Sequence, residues 1–156
     1  MESLLNYLYV FLLSMVPVLE LRAAIPLGAV LHLDPWLTYA ACVLGNFLPV
    51  PFILLFIRRI LAWMKTTRRL AGIANWLEEK AQKHSEKVMR YASFGLCLFV
   101  AIPLPGTGAW TGSLVAALFD IRMRYALPSV VVGLLIAGAI MTLASFGIVS
   151  AFDFFL

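Results

Sequence analysis

The chain has 156 residues, 63% of them hydrophobic and 13% charged, with a net charge of +4. Soluble globular domains run at about 45–50% apolar and about 25% charged, so this composition excludes an ordinary soluble fold and predicts an all-α integral membrane protein surrounded by lipid. The twelve Lys and Arg stand beside apolar runs and not among exposed aromatics, which argues against a nucleic-acid partner and makes them topology signals.

Residues 3–16 are apolar and rich in aromatics, predicting a helix of about 14 residues where a membrane span needs roughly 20. The segment 17–26 then introduces Pro17, Glu20, Arg22 and Pro26 into apolar surroundings. Such a break at membrane depth is tolerated only where protein or a watery cavity surrounds it. Residues 23–33 are expected to form a short helix returning to the surface of origin, after which Asp34 and Pro35 supply an N-cap and a proline at the first helical position. Residues 36–57 are long enough to span, with Gly45, Asn46, Pro49 and Pro51 inside that span as a source of bending.

Residues 58–90 carry nine Lys or Arg against three Glu and predict a basic connector. Leu70, Ile73, Leu77, Ala81 and Val88 recur at helical spacing within it, so the connector reads as an amphipathic helix on the membrane surface, with a solvated helix covering the end of the bundle as the alternative. A second short apolar helix is expected over 88–102, a second break over 103–112 with Pro103, Pro105, Gly106 and Gly108, a short helix over 109–119, a polar turn over 120–124 and a second full span over 125–152.

The halves repeat the same order of parts. At a constant offset of 86, Pro17 falls on Pro103, Ala23 on Ala109, Asp34 on Asp120, Tyr39 on Tyr125 and Ala40 on Ala126. If each break is the tip of a re-entrant hairpin, each half crosses once and eleven of the twelve Lys and Arg share one side, which the positive-inside rule makes cytoplasmic. The fold expected is therefore an inverted repeat in one membrane domain. Each half is a re-entrant helical hairpin followed by a spanning helix, with repeat one over 3–57, the cytoplasmic amphipathic connector over 58–90 and repeat two over 91–155. The alternative, three crossings in each half, requires spans of only 11 to 15 residues.

Glu20-Leu-Arg22 with Ala-Ile-Pro26 after it, and Pro103-Leu-Pro-Gly-Thr-Gly108 in the second half, resemble the small multidrug export protein family over nearly the whole chain. That family is distantly similar to the DedA, or VTT-domain, membrane proteins. The resemblance implies facing re-entrant hairpins and a transport role, with drugs suggested by the family's name and lipid-linked phosphates or phospholipids by its DedA-like relatives. The expectation is a multi-pass transporter of the cell membrane, proton- or ion-coupled, for a small organic or lipid-linked substrate. A DedA-like flippase or scramblase and a membrane assembly factor without transport are the alternatives.

Charges in hydrocarbon cost at least roughly 2.5–3.5 kcal/mol for an Arg at a helix centre, so Glu20 and Arg22 are candidate site residues, with a structural ion pair as the competing reading. Glu20 is the candidate to carry a coupling proton. Around the second break, Pro105, Gly106, Thr107 and Gly108 lead into a helix start whose amides suit an anion, Thr107 and Thr111 add hydroxyls, and Trp110 offers an aromatic wall. Arg22 facing those amides would suit a phosphate or carboxylate, whereas Glu20 facing Trp110 would suit an organic cation. Asn46 and Pro26 complete the candidate set, with a hydrogen bond from Asn46 to a neighbouring helix as the competing reading.

No nucleophile and base converge on either break, so no enzyme is expected. Cys42 and Cys97 read as packing residues, His32 and His84 as solvated interfacial histidines, and neither metal nor other cofactor is expected. Glu2 and the absence of an early basic run predict no cleaved signal peptide. Gly133, Gly138, Thr142 and Ala144 permit close helix approach, and the small lipid-facing area predicts a homodimer.

Overall fold

A computed structural model describes residues 2–66, 86–104, 106–119 and 121–155, and every described element is helical. In chain order these are α1 (Glu2–Met15), α2 (Glu20–Val30), α3 (Pro35–Phe47), α4 (Pro49–Thr66), α5 (Glu86–Ala101), α6 (Ala109–Leu118) and α7 (Met123–Phe155). Among the described residues two stretches are long and apolar enough to cross a bilayer, Pro35–Ile57 and Met123–Ala151. The first runs from α3 into α4, because Leu48 between them keeps helical backbone angles.

The predicted cap forms. The Asp34 carboxylate accepts from the backbone N–H groups of Trp36 and Leu37, both at 2.9 Å, and its own N–H donates to the Tyr7 hydroxyl at 2.9 Å, tying the start of α3 to α1. The first break is narrower than the sequence predicts. Glu20, Leu21 and Arg22 belong to α2, and Pro26 lies inside that helix, where its missing N–H leaves the Arg22 carbonyl without its usual partner. At the connector, α4 runs on to Thr66 and helix resumes at Glu86, while the predicted surface helix falls on 67–85, outside the described residues.

The two halves repeat their packing. α1 packs on α2 and α3, and α5 packs on α6 and α7; across the halves, α2 packs on α7 while α6 packs on α4. The correspondence shifts along the chain. Met15 and Ala101, which end the first helices, are 86 apart, but Val30 and Leu118, Leu33 and Ile121, and Pro35 and Met123 are each 88 apart. The cause is the longer second break. It corrects the constant offset, since Asp34 with Asp120 and Tyr39 with Tyr125 are two residues out of step.

In the shifted register the buried positions of α3, Thr38, Cys42, Gly45 and Asn46, match Ala126, Val130, Gly133 and Leu134 of α7, all buried. The close approaches match as well. A Cβ on Gly45 would collide with the Phe11 carbonyl and the Ser14 hydroxyl, and a Cβ on Gly133 with the Cys97 carbonyl and the Val100 side chain. α3 and α7 meet where Tyr39 and Val43 pack on Gly138, and the Tyr39 hydroxyl donates to the Leu135 carbonyl at 3.2 Å.

Candidate functional site

The packing of α2 and α6 across the halves brings the two breaks against one another. Breaking a helix leaves its last carbonyls and the next helix's first N–H groups without partners. Here the partners come from the opposite break. The Arg22 guanidinium donates through one Nη to the Ile102 carbonyl at the end of α5, at 3.2 Å, and to the Thr107 hydroxyl at 2.9 Å. In the other direction the Trp110 indole N–H donates to the Met15 carbonyl, which ends α1, at 3.1 Å.

Glu20 joins the two sets. One carboxylate oxygen accepts from the other Arg22 Nη at 2.9 Å, and the second accepts from the backbone N–H of Trp110 at 3.2 Å. An anion thus sits at the start of α6 and a cation at the end of α5, each complementing the local helix dipole. Glu20 is almost fully buried and Arg22 largely so, with side chains 4% and 14% exposed. The Thr107 hydroxyl accepts from Arg22 and directs its own proton to the Ile102 carbonyl at 2.7 Å or the Leu104 carbonyl at 2.9 Å.

Backbone geometry marks the same place. Val18 and Glu20 hold positive φ, at 74° and 49°, a conformation that costs L-residues of order 1–3 kcal/mol and is least accessible to a β-branched side chain. In the second break Gly106 has φ 83°, which only glycine adopts freely. Gly108 is extended, and its requirement is space: a Cβ there would run into the Glu20 carboxylate and the Arg22 guanidinium.

Of the predicted site residues, Glu20, Arg22, Thr107, Gly108 and Trp110 converge. Gly106 is exposed on the turn beside them, Thr111 lines a groove of about 300 Å³ with Ile53, Phe56, Ile57, Trp110 and Leu114, and Pro26 stands one helical turn beyond Arg22. Pro105 lies outside the described residues. Asn46 is fully buried in α3, and neither atom of its amide has a hydrogen-bond partner among the described residues. The expected pairings are rearranged: Arg22 meets a hydroxyl and a carbonyl instead of the amides, and Glu20 meets the Trp110 backbone N–H instead of its ring face. The Met15 and Ile102 carbonyls lie outside the residues that the sequence predicts for the site. Their one sequence signal is that each ends a helix too short to span.

Among the described residues no group of His, Cys, Asp and Glu could hold a metal ion. At one largely buried point the chain brings together a carboxylate, a guanidinium and a hydroxyl shared between two broken helices. Searches of curated proteins and of solved structures return no match. The model of the family described as "Putative small multi-drug export protein" matches residues 20–140, from Glu20 at the first break into α7, and the chain belongs to that family.

Proposed function

We propose that this chain is a membrane transporter, coupled to protons or another ion, that moves a small organic substrate through a site between the two breaks. The observation that carries the reading is the Glu20–Arg22 pair, which bonds the second break through Thr107, Ile102 and Trp110. A packed helical core can bury apolar side chains there at no electrostatic cost, whereas removing one partner of a buried ion pair costs about 3–5 kcal/mol. The pair acts as a latch between the halves. A proton on Glu20 removes the charge that holds Arg22 and the Trp110 amide, and lets the breaks part.

The reciprocal packing of α2 on α7 and α6 on α4 supports re-entrant hairpins related as an inverted repeat, the arrangement in which transporter sites sit between discontinuous helices. In this reading the basic connector is cytoplasmic and the working unit is a homodimer. Glu20 already occupies the amide at the start of α6, which favours a proton or an organic cation over an anion as the exchanging species.

The test is flux in proteoliposomes under an imposed pH gradient, with ethidium as cationic probe and a headgroup-labelled anionic phospholipid as lipid probe. Glu20→Gln is expected to reduce proton-driven ethidium flux at least tenfold, in a protein that still purifies as one species. Flux that keeps its pH dependence in Glu20→Gln overturns the coupling role. Movement of the lipid probe alone assigns the chain to the lipid-flipping class instead.

A further inference from the structure

Asn46 is completely buried, yet neither its Oδ1 nor its Nδ2 has a hydrogen-bond partner among the described residues. A lost hydrogen bond on a buried polar group is costly, so an amide without a partner among the described residues favours a bound ligand. Its counterpart in the second half makes the point sharper. Leu134 occupies the matching position on α7 with the same burial, so an apolar side chain suits this environment.

Helical geometry fixes where the amide stands. Thr38 lies against Gly28 across the tight turn joining α2 to α3, so eight residues further along α3, at Asn46, the neighbouring helix has run back eight residues to Glu20. Asn46 also follows Val43 by three residues and Tyr39 by seven, which places it on the α3 face that meets Gly138 of α7. Helical spacing thus puts Asn46 on the side of α3 toward α7, about level with Glu20. Arg22 Nε, a second buried donor without a partner among the described residues, belongs to that same depth.

The amide's chemistry selects its ligand. A cation would satisfy only Oδ1 and an anion only Nδ2, whereas a hydroxyl both donates and accepts and so serves both atoms. We propose that Asn46 binds a hydroxyl group, supplied by water or by an alcohol-bearing solute, between α3 and α7 at the depth of the two breaks. On the transport reading above, on which this placement in a pathway rests, the hydroxyl lies on the substrate's route.

Asn6, Asn46 and Asn75 are the asparagines of the chain, so a protein carrying Asn6→Gln and Asn75→Gln and labelled with ¹⁵N-asparagine reports on Asn46 alone. In lipid nanodiscs its side-chain amide is expected to receive magnetisation from water, and glycerol is expected to shift its resonance. A shift with glycerol assigns the site to hydroxyl-bearing solutes, and transfer from water without such a shift assigns it to water; both uphold the hydroxyl site. Transfer from neither overturns it. The experiment does not depend on flux, so a protein that passes it and moves neither ethidium nor lipid loses the transport reading and keeps the hydroxyl site.

Discussion

At the residue scale, the two glycines of the second break test different physics. Gly108→Ala drives a methyl group into the Glu20 carboxylate and Arg22, which cannot both retreat without giving up their bonds to Thr107 and Trp110. Overpacking of this kind costs about 1–3 kcal/mol, or a fall of several degrees in thermal midpoint for a chain of this size, and ethidium flux is expected to fall with it. Gly106→Ala meets open space and bears only the cost of its positive φ, about 1 kcal/mol. Differential scanning fluorimetry in detergent checks the order; equal losses would mean that Gly108 does not touch the latch. Glu20, Arg22, Thr107 and Gly108 were legible as candidates because charge and glycine are conspicuous inside apolar sequence. The carbonyls of Met15 and Ile102 were not, because every residue carries one and only its position at a helix end distinguishes it.

At the element scale, the short helices are held by close backbone approach. Gly45 lets α3 rest on α1 at the Phe11 carbonyl, and Gly133 lets α7 rest on α5 at the Cys97 carbonyl. Gly45→Ala presses on a backbone group that cannot rotate away, so it is expected to lower the thermal midpoint more than Gly147→Ala, whose new methyl meets nothing. An unchanged midpoint in Gly45→Ala would show that α1 is free to move off α3. Helix type and order were readable from hydrophobic runs bounded by prolines, glycines and the Asp34 cap. The start of α2 was not. Glu20 and Arg22 are charges between Pro17 and Pro26 in an apolar run and so read as part of the break, but their partners on the opposite break let them lie in a helix. The constant offset of 86 failed for a related reason, since matching residue types in a biased composition do not register a change in loop length.

At the scale of the whole molecule, the proposal of paired re-entrant hairpins makes a prediction about sidedness. With Cys42 and Cys97 replaced, Val18→Cys is expected to resist a membrane-impermeant thiol reagent applied from the cytoplasmic side. Gly106→Cys is expected to resist it from the outside, and His32→Cys to react from the outside. Strong labelling of Val18→Cys from the cytoplasm would mean that α1 crosses the bilayer fully and that the hairpin reading is wrong. What the sequence by itself determined is the membrane class, the repeated order of short helix, break, short helix and long helix, and the residues able to carry charge into the interior. These follow from local properties: hydrophobic length, breakers and caps. Only the tertiary structure decided that Arg22 closes on Thr107 and Ile102, that Glu20 takes the amide of Trp110, that the repeat shifts from 86 to 88 residues, and that Asn46 is buried without a hydrogen-bond partner among the described residues. The first two depend on which donor meets which acceptor across 80 or more residues of chain, the third on a change in loop length and the last on which helices enclose α3, and local patterning carries no record of these.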